Sequence, residues 1–175
     1  KQLSTSGQHG CYLLEDGSAY CWGWNHWGSL GNDKSGYQVT EDATNYIPQL
    51  VYGDHNFSSI ELGYTSTCGL LQNGTALCWG LDLNGQIGDG VSGNNNFHDT
   101  PQTVSGNHNF SSISLGYYHT CGITTSDEAY CWGENNYGIL GDGTEVDKNI
   151  PTLVSGNHNF SSVELGGAHS CGLSQ

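Results

Sequence analysis

One block of residues returns three times in register, and that recurrence limits the chain to architectures assembled from like units. From Pro48 the chain reads PQLVYGDHNFSSIELGYTSTCGL, from Pro101 PQTVSGNHNFSSISLGYYHTCGI, and from Pro151 PTLVSGNHNFSSVELGGAHSCGL. Each Pro precedes a Cys by 20 residues, and Cys68 and Cys121 are followed 10 residues later by a second Cys. Between the second Cys and the next Pro the spacing varies: 27 residues after Cys21, 23 after Cys78 and 20 after Cys131. Variation confined to one stretch predicts outer loops there, at 32–46, 90–100 and 144–149, because loops accept insertions cheaply.

Within a unit the pattern is that of strands. Ser58 to Leu62 and Ser111 to Leu115 alternate small or polar residues with apolar ones, and CGLLQNGTALCW places two short strands around Asn73-Gly74. Asp16-Gly17 repeats that turn signal, and Ser126-Asp127 repeats it more weakly. Each unit therefore predicts an antiparallel sheet of three or four strands. Such a sheet cannot hide both of its faces, so neighbouring units must stack. The 27 Gly, and their cost of about 1 kcal/mol each inside a helix relative to Ala, speak against extended helices.

Three Lys and Arg stand against 17 Asp and Glu, a formal charge of −14. Nucleic acids and anionic membranes are held by Lys and Arg, so neither is an expected partner. No apolar run is long enough to predict a membrane span. Lys1 is not preceded by a leader, so a signal peptide is expected to have been removed or to lie outside this sequence.

The runs CWGWNHWGSLGND at Cys21, CWGLDLNGQIGDG at Cys78 and CWGENNYGILGDGT at Cys131 resemble the repeat of the regulator of chromosome condensation family. The preceding LGxxHTCGL-type and DGxxYCWG-type elements share the likeness. It covers essentially the whole chain: the back of one repeat (1–47), two full repeats (48–100 and 101–150) and the front of a fourth (151–175). The resemblance implies an all-β fold of β-propeller blades. About three and a half repeats are too few to close a ring, since propellers use four to eight blades. Closure is expected only with further repeats or other chains, the alternative being an open array. Leu3–Leu13 matches Val163–Leu173 by distance to the Cys, so both ends fall in the same part of the repeat. The chain is thus expected to be a segment of a longer array, or a protomer whose ends meet other chains.

The turn signals lie midway between Cys11 and Cys21, Cys68 and Cys78, and Cys121 and Cys131, which sets each pair across adjacent strands at disulfide separation. Each bond would contribute on the order of 3 kcal/mol in the chain-entropy model. Buried free thiols are the alternative, and a zinc knuckle lacks the necessary spacing. Cys171 is left unpaired, or paired with another chain. Asn56, Asn109 and Asn159 head NFS sequons at one place in the repeat, and Asn73 heads NGT on a hairpin tip. With the paired Cys they predict N-linked glycans and an extracellular or cell-surface location.

Asp82, Asn84, Gly85 and Ile87 echo part of a calcium loop, but the sibling positions Asn25 and Asn135 keep the turn without the acid, so calcium is not expected. Repeated His9, His119 and His169 read as structural, because Ser66 replaces them in one copy, and His55, His108 and His158 recur in a turn. No catalytic or metal-ligating residues are assigned, and no cofactor beyond glycans is expected. Trp22, Trp79 and Trp132 of the repeated CWG are expected to cover the seams between blades. Trp24, Trp27, Tyr37 and Tyr46 are an extra aromatic set, expected to be buried or to stack on a partner or sugar. The expected function is non-catalytic: an extracellular glycosylated structural repeat protein that self-assembles through stacked blades, into a filament or surface layer, with copies of itself or further repeats as partners. The alternative is a secreted module that binds or inhibits an extracellular protein. The family's founding activity, guanine nucleotide exchange on Ran, sits poorly with sequons and paired Cys.

Overall fold

The computed structural model describes residues 2–34, 44–156 and 158–174. It is built of strands. β1 (Gln2–Thr5), β2 (His9–Leu13), β3 (Ala19–Trp24) and β4 (Thr44–Leu50) form one antiparallel sheet in chain order. β5 (Phe57–Leu62), β6 (Ser66–Leu71), β7 (Ala76–Leu81) and β8 (Phe97–Thr103) form a second, and β9 (Phe110–Leu115), β10 (His119–Thr124), β11 (Ala129–Gly133) and β12 (Lys148–Leu153) a third. β13 (Phe160–Leu165) and β14 (Ser170–Ser174) form a two-stranded sheet equivalent to β1–β2. No helix among the described residues is long and apolar enough to cross a membrane.

The sheets are offset from the Pro-started repeats. Pro48, Pro101 and Pro151 lie inside β4, β8 and β12, the last strand of the preceding sheet, so the outer loops end earlier than the Pro suggests. A proline is tolerated there because each pairing slips in register around it. Between β7 and β8, Cys78 faces Gln102 while Gly80 faces His98, and Pro101 falls in the bulge on an edge strand, where its missing N–H costs no ladder bond.

The β2–β3 and β6–β7 hairpins turn through Gly17 and Gly74, and β10–β11 through Asp127, whose φ of 65° shows an Asp occupying the left-handed region otherwise left to Gly. In each hairpin the register sets the two Cys opposite one another, and the structure joins Cys11 to Cys21, Cys68 to Cys78 and Cys121 to Cys131 with Cα–Cα separations of 4.1 Å. Cys171 on β14 is exposed and unpaired.

The core lies in the seams between sheets. The first seam gathers Leu13, Leu30, Val51, Phe57, Ile60 and Trp79, and the second Leu70, Ile87, Val104, Phe110, Ile113 and Trp132. The third holds fewer large residues, with Leu140, Ile123 and Val163 at its centre. Phe57, Phe110 and Phe160 open the first strands of their sheets, and their backbone N–H groups donate to the carbonyls of Gly17, Gly74 and Asp127 in the hairpin turn of the preceding sheet at 2.8 to 3.0 Å. At the first seam Gln2 imitates a missing strand neighbour: its amide donates to Ile60 O at 2.8 Å and accepts from Ile60 N at 2.9 Å.

This arrangement separates the Trp residues by role. Trp79 and Trp132 are fully buried in seams. Trp22 is only half-buried, lying on Gly10 of its own sheet and beside Tyr12. Trp79→Ala and Trp132→Ala should each cost about 3–5 kcal/mol, and Trp22→Ala clearly less, in urea denaturation of the oxidised protein. Equal losses at all three would contradict the seam assignment.

Candidate functional site

The first two seams share one repeated contact. The indole Nε1 of Trp79 donates to Ser29 O at 3.0 Å, and that of Trp132 to Gln86 O at 3.0 Å, in both cases eight residues past the Cys of the preceding sheet. The same two carbonyls accept from Thr67 Oγ1 at 2.8 Å and Thr120 Oγ1 at 2.9 Å, so both lone pairs are used. The indoles lie against Gly31 and Gly88, where a Cβ would stand 2.6 Å from Nε1. Both glycines have positive φ, so a side chain there would be strained as well as obstructed.

The third seam carries the same receptor. Ser170 Oγ donates to Ile139 O at 2.9 Å, as Thr67 and Thr120 do at their carbonyls. Beside Ile139 opens a cleft of about 340 Å³, lined by Leu140, Gly141, Val154, Phe160, Val163 and Cys171. Ile139 and Gly141 match Ser29 and Gly31 position for position, so the cleft is a socket shaped like those that hold Trp79 and Trp132.

Histidines extend these contacts across the seams. His9 Nε2 lies 2.8 Å from Thr67 Oγ1, and His119 Nε2 lies 3.0 Å from Ser170 Oγ. Those hydroxyls already donate to carbonyls, so the rings donate to them and each Nδ1 is left unprotonated, His9 Nδ1 lying 3.0 Å from Ser6 Oγ. Burial lowers the pKa of both, to about 4, with the neighbouring His169 also acting on His119. His55, His108 and His158 instead pack on Phe57, Phe110 and Phe160 with ring centroids 5.4 to 5.9 Å apart.

The positions flagged by the partial calcium pattern form loop staples. Asn25, Asp82 and Asn135 are buried, and their Oδ1 atoms accept from the backbone N of Leu30, Ile87 and Leu140 at 2.9 to 3.0 Å. Asn84 lies nearby, its N–H donating to Gln86 Oε1 at 3.0 Å. Asp82 Oδ2 also accepts from Asn96 Nδ2 at 2.7 Å. Two partners were not legible in the sequence: His98 Nε2 lies 3.7 Å from Asp82 Oδ2 and 3.1 Å from Asp89 Oδ2. Burial raises the Asp82 pKa, while the nearby His98 ring opposes that rise, and Asp82 in turn holds the His98 pKa up.

Trp24, His26, Trp27 and Phe97 form an aromatic row from the first sheet's loop to the second sheet, with centroids 5.3, 4.4 and 6.3 Å apart. Tyr46 is exposed, and Tyr37 lies outside the described residues. Asn56, Asn109 and Asn159 stand immediately before β5, β9 and β13, and Asn73 in the β6–β7 turn; all four are exposed. Since Phe57 pairs with Leu71, these sequons share one end of the sheets. The staple loops and aromatic row lie at the opposite end.

Repeat models of the regulator of chromosome condensation match residues 16–70, 73–123 and 126–173, and in a second form 1–28, 57–86 and 110–139. The chain belongs to the regulator of chromosome condensation (RCC1) repeat family. It is 29% identical over 149 residues to the Ultraviolet-B receptor UVR8 of Arabidopsis thaliana, covering 85% of this chain and 32% of that protein. It is 27% identical over 162 residues to Protein pim1 of Schizosaccharomyces pombe, covering 82% and 29%. The chain thus spans about a third of the curated relatives it matches. Among solved structures it resembles Prp20p of Saccharomyces cerevisiae, with a TM-score of 0.85 at 22% identity over 100% of this chain and 44% of that one. Human WBSCR16 gives a TM-score of 0.82 at 21% identity, again over 100% and 44%. These likenesses show the fold: the sheets are blades of a β-propeller.

The buried imidazoles make stability depend on pH. His9 and His119 are held neutral with folded-state pKa values of about 4, below the unfolded value near 6.5. Their contribution is complete above pH 6.5 and is lost as pH falls through 6.5 towards 4, by up to about 1.4 kcal/mol per unit of pKa lowering. The unfolding midpoint should fall across this window, and less so in the His9→Gln, His119→Gln double variant. An unchanged pH profile in that variant would contradict the assignment.

Proposed function

We propose that this chain is a non-catalytic, N-glycosylated repeat protein of the extracellular space or cell surface that acts by stacking its blades on further blades. The observation that carries this reading is the third-seam socket. Ile139 O, Gly141 and the apolar cleft beside them repeat, position for position, the receptors that hold Trp79 and Trp132. The occupant such a socket fits is a strand of Tyr-Cys-Trp-Gly type, which would pair with β14, bring a Cys opposite Cys171 and place an indole beside Ile139. It would come from a further repeat or a second copy of the chain.

Three hairpin disulfides support an oxidising compartment. Four exposed sequon Asn at one end of the blades support a sugar-covered face, with the opposite face left for contacts. Scarce charges, 11% of residues, leave hydration of the first face to such glycans. The yeast Prp20p structure is described together with binding to Gsp1p and histones. Three disulfides suit an oxidising compartment and not the reducing one in which such nuclear partners are met. A second reading, a secreted module binding an extracellular protein, draws on the aromatic row Trp24–His26–Trp27–Phe97 at the sequon-free end.

Native material viewed by electron microscopy should show extended arrays, with intact mass falling on endoglycosidase treatment. A single small species at every concentration tested, with no change in mass, would overturn the reading.

A further inference from the structure

The three staple loops are built alike but charged differently. In the first, Asn25 Nδ2 donates to Asn32 Oδ1 at 3.1 Å, and in the third Asn135 Nδ2 donates to Asp142 Oδ1 at 3.1 Å. A carboxamide thus supplies its own donor to the second Asx side chain, and in the third loop Lys148 Nζ adds a cation 3.0 Å from Asp142 Oδ2. The second loop has Asp82 where its siblings have Asn, and Asp82 has no donor to give. Two carboxylates, Asp82 and Asp89, therefore face each other, and His98 stands at the place of Lys148, three residues before the repeat Pro.

Asp82 is fully buried, while Asp89 and His98 are 14% and 20% exposed, which leaves one side of the cluster open to solvent. One ligand atom from each of the three residues lies within 4.8 Å of the others. His98 Nε2 is itself buried, and despite its closeness to both carboxylates it makes no well-directed hydrogen bond. A buried ring nitrogen lying 3.1 and 3.7 Å from two carboxylate oxygens and hydrogen-bonded to neither makes with them a donor set suited to a metal ion.

We propose that Asp82, Asp89 and His98 form a binding site for a divalent first-row transition metal of the zinc class. Two carboxylate oxygens and one imidazole nitrogen make three protein ligands, and water from the open side completes a four-coordinate shell. Calcium is a poorer fit, since it takes six to eight oxygens and does not favour imidazole. The Asn96 amide on Asp82 Oδ2 and the Ile87 N–H on Oδ1 orient the buried carboxylate, as outer partners do in metal sites. Bound metal would fix the 82–98 loop to β8 at the sequon-free end of the blades.

The test is calorimetric titration of the oxidised full chain with ZnCl₂, using a Cys171→Ser background so that the free thiol cannot contribute. Calcium and magnesium are run as comparators, and cobalt(II) absorption reports on the coordination. Asp82→Asn and His98→Lys reproduce the first and third loops respectively, so the fold has already accommodated both residues at these places. Saturable one-to-one zinc binding is expected, weakened about 10-fold or more by either variant, with little calcium heat and a cobalt spectrum of low coordination number. Absence of saturable zinc binding, or a zinc affinity that neither variant changes, would overturn the proposal and leave the cluster as an ion pair only.

Discussion

An indole hydrogen-bonded to a backbone carbonyl of the preceding sheet is the contact on which the rest of the architecture depends. A four-stranded sheet with apolar residues on both faces loses too little surface to water by itself, so its stability has to come from its neighbours. Trp79 and Trp132 supply that dependence with geometry attached. Each fills the seam with a large apolar ring and spends its one donor on Ser29 or Gln86, while Gly31 or Gly88 leaves room for the ring. Thr67 and Thr120 use the other lone pair of the same carbonyls, so the loop that receives one Trp is also tied to the strand before it.

The disulfides work on a different scale. They fix the two central strands within a blade and set nothing between blades, so the relative placement of sheets rests on the seam cores, the Trp receptors, the Phe N–H bonds to the preceding turns, the His9 and His119 bridges, the Gln2–Ile60 pair and loop bonds such as Asp33 N to Asp99 O and Gly90 N to Asn149 O. This division explains how loop length varies freely from copy to copy. The loops need only keep the Asx staple and the receptor carbonyl, and the staple accepts different partners further along, Asn96 in the second loop and Val146 and Asp147 in the third.

Much of the fold was legible because the repeat is local: turn residues, Cys spacing and strand alternation all lie within about thirty consecutive residues. The Pro-started repeat is offset from the sheets, since Pro48, Pro101 and Pro151 fall at bulges in the last strand of one sheet. Trp79 and Trp132 were readable as seam residues through the family resemblance. Their acceptors were not, because Ser29, Gln86 and Ile139 share no side-chain chemistry and act through backbone oxygen. The Asp82 acid was visible as a departure from Asn25 and Asn135, but its neighbours Asp89 and His98 are brought to it only by the return of β8, a tertiary event that one-dimensional spacing does not encode.

Native-state hydrogen exchange tests the dependence of each blade on its neighbours most directly. The account predicts the slowest amides in β6 and β7, whose sheet is covered on both faces, and the fastest strand amides in β13 and β14. Uniform protection across the four sheets, or greatest protection in β13 and β14, would mean that the sheets are stable alone and would contradict it.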